Sequence, residues 1–185
     1  MNATRHVIVV TDLTGYTRLS RSHPDEVMAE FLDRWYCLAE DAVSAGGGRI
    51  VKFMGDAMLA LFPPESAAQA VAAVVTLQVQ SEQLAKGYGF DMTLGANLHL
   101  GPAVVAELGK GPSRRTDVVG RAVNQTFLLG SGGGVRLSEP MYRQLPSSDR
   151  SPWERHKPPA VYVLGKSDEP YRVLRKTAAE NMMRW

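Results

Sequence analysis

The chain has 185 residues, of which 44% are hydrophobic and 22% are charged, and its formal net charge is +2. This length and composition predict one globular domain over residues 1–185 with a hydrophobic core of its own. The small charge gives no reason to expect a nucleic-acid partner. No apolar run reaches the roughly 18 residues of a membrane helix, and no leader pattern opens the chain. We therefore expect a cytoplasmic protein without a membrane partner.

The first predicted element is a buried strand over residues 5–12, RHVIVVTD. A continuous apolar run of this length is typical of a central strand, so Asp12 is expected where that strand leaves the sheet. Pro24 followed by two acidic residues then predicts the start of a long helix over about 24–44. The chain's one cysteine, Cys37, lies among apolar neighbours in this helix and is expected to be a buried core thiol.

Residues 46–62, GGGRIVKFMGDAMLALF, predict a β-hairpin. Its strands are 49–54 and 57–62, and Gly55 with Asp56 supplies the tight turn. The simplest role for Asp56 is that of a turn residue. Lys52 is a cation inside an otherwise apolar strand. Such a lysine is usually solvated, but the hydrophobicity of both strands favours a functional role for it.

The second half of the chain alternates helices and strands. A helix is predicted over about 65–86, followed by a second hairpin of residues 90–100 and 103–108 that turns at Gly101-Pro102. Further elements are predicted as a helix over 121–129, a strand over 135–138, a short helix over 139–145 and a last hairpin of 160–164 with 170–174. This order predicts an α+β, ferredoxin-like core, a sheet with two helices packed on one face, followed by an extra C-terminal hairpin.

Two carboxylates stand out by their positions, Asp12 at a strand end and Asp56 at a hairpin tip. In a ferredoxin-like sheet the first strand is central, so these two side chains are expected to lie close together. Hard oxygen ligands without histidine or cysteine favour Mg²⁺ or Mn²⁺ over zinc, and Mg²⁺ held by carboxylates commonly also binds substrate phosphates.

Four segments in order and at matching spacings resemble the class III adenylate and guanylate cyclase catalytic domain: TDLTGYTRLS (11–20), GGRIVKFMGDAMLALF (47–62), GANLHLGPAVVAELG (95–109) and DVVGRAVN (117–124). The resemblance covers about residues 5–175. It implies the class III nucleotidyl cyclase fold. It also implies that Asp12, Asp56 and the carbonyl of Leu13 hold two Mg²⁺ or Mn²⁺ ions per site.

The same resemblance implies a substrate and an assembly. Lys52 and Asp117 match the adenine-selecting positions, where guanylate enzymes of the family carry Glu and Cys. A lysine donates to adenine N1 and an aspartate accepts from the N6 amine, so ATP is the expected substrate and 3′,5′-cyclic AMP the expected product. Asn124 matches the ribose-orienting asparagine. Metal and purine groups come from opposite protomers in the family, which implies a head-to-tail homodimer.

The chain departs from the family pattern at two cationic positions. Leu128 stands where the family has a transition-state arginine, four residues after Asn124. Leu164 stands where a phosphate-binding lysine is expected, with Lys166 two residues further on. Losing one such donor costs about 3 kcal/mol in the transition state, roughly a hundredfold in rate.

Arg121 is the candidate replacement for the missing arginine. It lies one helical turn before Asn124 and on the same predicted helix face, so we expect it to reach the phosphates. Arg114 and Arg115 are weaker candidates, because basic residues in loops are usually just solvated.

Three functions are weighed. The first is an adenylate cyclase, whose activity is expected to be low if nothing replaces the arginine missing at Leu128. The second is a catalytically weak or inactive cyclase-like module that binds nucleotide and dimerises in signalling. The third, an RNA-binding ferredoxin-like domain, requires exposed aromatic residues on two central strands, and the candidate strands offer only Phe53. A phosphate-binding P-loop is not encoded, because Gly109-Lys110-Gly111 lacks the required spacing.

Overall fold

The structure, a computed structural model, describes residues 1–156 and 161–164. In chain order the strands are β1 (Thr4–Thr14), β2 (Arg49–Met54), β3 (Ala57–Phe62), β4 (Thr93–Leu108), β5 (Arg115–Val119), β6 (Gly134–Ser138), β7 (Trp153–His156) and β8 (Val161–Leu164). The helices are α1 (Tyr16–Leu19), α2 (Asp25–Ala45), α3 (Ala67–Gly87), α4 (Arg121–Phe127) and α5 (Glu139–Gln144). None of these helices combines the length and apolar character needed to cross a bilayer.

The described strands form one sheet in the order β2-β3-β1-β4-β6-β8-β7, and β5 pairs with β4 outside this path. The pairing of β4 with β6 is parallel, and the other pairings are antiparallel. The first strand is therefore central, between β3 and β4. The α+β fold class is confirmed.

The two faces of the sheet are covered differently. On one face α2 and α3 bury a large core in which Val7 and Val9 of β1 take part. On the other face Ile8 and Val10 pack in a small second cluster with residues of α4. Because side chains alternate along a strand, Asp12 shares the face of Ile8 and Val10. The face that carries Asp12 is thus the one that the long helices leave uncovered.

The predicted second hairpin is wrong, because β4 runs straight through Gly101 and Pro102 to Leu108. Gly101 pairs with His6 of β1, and Pro102 pairs with Arg5. A Cβ on Gly101 would stand 2.6 Å from the Cβ of Ala122. The glycine therefore lets α4 approach the sheet and makes no turn. The actual hairpin joins β4 to β5 through residues 109–114.

Two other predictions need correction. Cys37 is exposed rather than buried. It is two residues from Trp35 and from Ala39, which are buried, and residues two apart lie on opposite sides of a helix. Strand β8 pairs with β7, a strand that was not predicted. The predicted partner 170–174 lies outside the described residues, as does Lys166.

Candidate active site

The structure brings Asp12 and Asp56 together at one end of the sheet. Asp12 of β1 pairs with Ala57 of β3, the residue after Asp56. The backbone N–H of Leu13 donates to the carbonyl of Asp56 at 3.1 Å, which fastens the tip of the β2–β3 hairpin to β1. Burial raises the pKa of Asp12, and the nearby charge of Asp56 raises it further. The expected proximity of the two carboxylates is confirmed.

These two carboxylates fit a hard divalent cation. Burial also raises the pKa of Asp56, so both side chains are partly desolvated while they repel each other, and a cation between them would relieve both costs. In the described part of the chain they belong to no group of three or more His, Cys, Asp or Glu side chains suited to metal binding. A complete ligand set would therefore draw on backbone oxygens such as the predicted carbonyl of Leu13, and on a substrate. Such an all-oxygen set suits Mg²⁺ or Mn²⁺.

Lys52 and Asp117 form an ion pair, with 2.7 Å between Nζ and Oδ2. The side chains are 36% and 27% exposed. The hydrogen bond from Lys52 is the main reason that the pKa of Asp117 lies below its usual range. The other carboxylate oxygen, Oδ1, accepts from the backbone N–H of Val118 at 2.8 Å. The pair predicted from the sequence is thus assembled within one chain and remains accessible.

The position of Lys52 depends on an irregularity in the edge strand β2. The register between β2 and β3 shifts between Ile50 and Lys52, after which Lys52 pairs with Leu59. Such a bulge redirects the side chains that follow it. The lysine consequently reaches β5, a strand that is not hydrogen-bonded to β2 in the described sheet.

The predicted face of α4 is exposed. Arg121 and Asn124 are exposed, and Leu128, at the end of the helix, is 71% exposed. The opposite face of α4 is buried through Ala122 and Thr126. In the part of the chain that the structure describes, no hydrogen bond or ion pair joins Arg121 or Asn124 to the carboxylate pair or to the Lys52–Asp117 pair. The predicted residues therefore form three separate groups within one chain.

Sequence analysis missed two buried polar residues beside Asp12. A cavity of about 180 Å³ is lined by Asp12, Asn97, Phe127 and Arg136 among others. The side-chain amide of Asn97 donates to the carbonyl of Gly130 at 2.8 Å.

The guanidinium of Arg136 is buried and bound by backbone. Its Nη2 donates to the carbonyls of Ser131 at 2.6 Å, Gly132 at 3.0 Å and Gly133 at 2.9 Å. Its Nη1 donates to the carbonyl of Gly134 at 3.3 Å. The signal for this arrangement was the arginine inside the short apolar strand that follows the glycine run at 132–134.

Curated proteins of similar sequence identify the family of this chain. The chain is 33% identical over 130 residues to an adenylate cyclase of Glutamicibacter nicotianae, a match that covers 70% of this chain and 27% of that protein. No family model matches the sequence. The chain spans about a quarter of the length of the curated relatives it matches.

Solved structures give the same answer for the fold. The crystal structure of the guanylyl cyclase Cya2 matches with a TM-score of 0.76 and 25% identity, covering 93% of this chain and 98% of that one. The adenylyl cyclase CyaB from P. aeruginosa matches with a TM-score of 0.75 and 19% identity, covering 90% and 97%. The fold is thus that of nucleotidyl cyclase catalytic domains. The chain belongs to the class III adenylate and guanylate cyclase family.

Proposed function

We propose that this protein is an adenylate cyclase that converts ATP to 3′,5′-cyclic AMP and pyrophosphate. The observation that carries the choice of ATP is the ion pair of Lys52 with Asp117. The ammonium donates to adenine N1 and the carboxylate accepts from the N6 amine. Guanine presents a donor at N1 and an exocyclic oxygen acceptor, so the same two side chains would meet it with the wrong polarity.

Asp12 and Asp56, with the carbonyl of Leu13, are proposed to hold two Mg²⁺ or Mn²⁺ ions. Such ions, when bound, lower the pKa of a coordinated hydroxyl and neutralise charge on a triphosphate. The raised pKa values of both aspartates support this role, because they indicate negative charge held at a partly desolvated position.

The proposed reaction is an in-line displacement within one ATP molecule. The ribose 3′-oxygen forms a bond to the α-phosphorus, and the bond from that phosphorus to the bridging oxygen of the β-phosphate breaks. The hydroxyl proton passes to solvent, and pyrophosphate leaves. Asn124 orients the ribose, and Arg121 contacts the phosphates in place of the arginine that Leu128 replaces.

The proposed assembly is a head-to-tail homodimer in which each site takes its carboxylates from one protomer and its purine-reading pair from the other. Two equivalent sites follow from the two-fold symmetry. The exposed apolar side chains of Val119, Phe127 and Leu128, near or on α4, support a protein surface covering this region.

One alternative function rests on a specific observation. The side chain at the family's arginine position is Leu128, which is 71% exposed and offers no charge to a transition state. A protein with the metal and adenine groups but without this charge would bind nucleotide and dimerise without turnover, as a signalling module.

The deciding experiment measures cyclic AMP produced by the purified protein from ATP with Mn²⁺ or Mg²⁺, with GTP as the competing substrate. We expect product from ATP and not from GTP, and none from Asp12→Asn, which keeps the shape of the side chain but removes its charge. Product from GTP at a similar rate would refute the base assignment. Nucleotide binding without product would favour the signalling module.

In an active protein, the same assay tests the proposed role of Arg121. Arg121→Ala should lower turnover, whereas the matched loop variant Arg114→Ala should not. Equal turnover in both variants would remove Arg121 from the proposed site.

A further inference from the structure

We propose that Tyr36 of α2 is a positioning residue that sets the orientation of Asp56. This inference rests on the proposed function, because it concerns the carboxylate proposed to hold metal. Tyr36 lies outside the four segments that carry the family resemblance, and nothing in the sequence pattern assigned it a role.

The contact that carries the proposal is a hydrogen bond to the hairpin tip. The hydroxyl of Tyr36 donates to the carbonyl of Gly55 at 2.7 Å. That carbonyl belongs to the same planar peptide unit as the N–H of Asp56. The bond therefore fixes the orientation of the peptide plane between Gly55 and Asp56.

The tip is open on the side of the Gly55 α-carbon, so few contacts fix it there. Gly55 has a φ of 66°, and a Cβ built on it would meet no other atom within 4 Å. Beyond the last strand pair, Met54 with Ala57, the tip is held on its β1 side by the bond from the N–H of Leu13 to the carbonyl of Asp56. Tyr36 supplies a second fixed point, on the α2 side.

The ring of Tyr36 is itself held rigidly. It stacks on Phe53 of β2, with 3.7 Å between ring centroids and 6° between planes. Trp35 meets both rings edge-on, at 5.7 Å and 6.1 Å. The indole N–H of the fully buried Trp35 donates to the hydroxyl of Ser81 on α3 at 3.0 Å. A continuous set of contacts thus runs from α3 through α2 to the tip.

The electrostatics agree with this placement. Burial raises the pKa of the Tyr36 phenol, and the charge of Asp56 raises it further. The hydroxyl therefore keeps its proton at neutral pH and remains a donor.

The test is Tyr36→Phe, which keeps the stacked ring and removes the hydroxyl. We expect Mn²⁺ affinity, measured by electron paramagnetic resonance of free Mn²⁺, to fall about three- to tenfold, the range for one lost hydrogen bond. In the activity assay, the Mn²⁺ concentration for half-maximal rate should rise by a similar factor while the rate at saturating Mn²⁺ is kept. A thermal melt checks that the variant is folded.

The matched control is Tyr88→Phe. Tyr88 is also half-buried and donates its hydroxyl to Glu30 at 2.9 Å, and its ring packs on Phe31 and Phe90. Removal of the Tyr88 hydroxyl should leave Mn²⁺ affinity unchanged, because Tyr88 makes no contact with the hairpin tip.

The outcomes separate this inference from the function on which it rests. If Asp12→Asn abolishes Mn²⁺ binding and Tyr36→Phe binds like wild type, the role of Tyr36 is overturned and the metal site stands. If wild type shows neither Mn²⁺ binding nor a Mn²⁺-dependent rate, the metal site fails and the role of Tyr36 fails with it. Equal losses in the Tyr36 and Tyr88 variants would indicate a general structural effect and would also overturn the proposal.

Discussion

Two partly or fully buried cations of this protein bind different kinds of group. Lys52 is about one-third exposed and faces the carboxylate of Asp117. Arg136 is 3% exposed, and its guanidinium donates to the backbone carbonyls of residues 131–134. The first cation has a partner that a ligand is able to share. The second donates to four carbonyls of the loop at 131–134 and so fastens that loop to β6.

The comparison indicates which charge serves stability and which serves binding. Exposed or half-exposed ion pairs contribute little, with a median of about 0–1 kcal/mol. The buried guanidinium of Arg136 is different, because its removal takes the donors from four loop carbonyls at once. Lys52 is therefore available for function, whereas Arg136 is part of the fold.

The largest effect is expected from Arg136→Met. Four carbonyls lose their donors and a charged side chain is replaced by a shorter apolar one, so the free energy of unfolding should fall by about 1–3 kcal/mol. Urea denaturation measures this free energy of unfolding. The control is Arg143→Met, which removes an exposed i,i+4 pair with Glu139 and should cost at most about 0.5 kcal/mol. Similar losses of unfolding free energy in the two variants would contradict a structural role specific to Arg136.

We expect Lys52→Met to change the stability of the fold less than Arg136→Met does, but to lower the use of ATP strongly. The free energy of unfolding should change by less than about 1 kcal/mol. Since the proposed donor to adenine is lost, kcat/KM for ATP should fall about a hundredfold. Lys86→Met, an exposed lysine in the last turn of α3, is the control and should alter neither quantity. A stability loss as large as that of Arg136→Met would show that Lys52 is structural.

The smallest effect concerns pH. The pKa of Asp117 is lowered in the folded protein from its ordinary value of 3.8. The contribution of the pair is therefore present above that value and is lost as the pH falls through the folded pKa. The stability difference between wild type and Asp117→Asn, measured by urea denaturation, should shrink between pH 5 and the acid limit of folding. A difference that does not change over this range would contradict the lowered pKa.

The sequence predicted the parts of the site that depend on local pattern. The apolar run of β1 gave its central place and the strand-end position of Asp12, and the turn chemistry of Gly55 gave the hairpin that carries Asp56. The spacing of Arg121 and Asn124 gave their common exposed face. In each case the local sequence of one segment is sufficient.

The parts that sequence analysis missed depend on contacts between distant elements. Gly101 reads as a turn residue, but it is required by the close approach of Ala122, twenty-one residues later. Arg136 binds carbonyls that carry no side-chain signal. Tyr36 reads as one more apolar position of α2, and its role rests on a hairpin tip nineteen residues away. Local secondary-structure propensity does not encode such contacts between distant elements.

The length of β4 has a consequence for where the proposed purine-reading pair lies. Up to Ala103 the strand is paired within the sheet, and from Val104 onward its described partner is β5. Within β5, Val118 is the one buried residue, and Asp117 is only partly covered. The Asp117 half of the proposed purine-reading pair thus lies on a two-stranded ribbon beside the main sheet, whereas Lys52 lies on the edge strand β2. We expect substitutions at these two positions to leave the packing of the sheet intact.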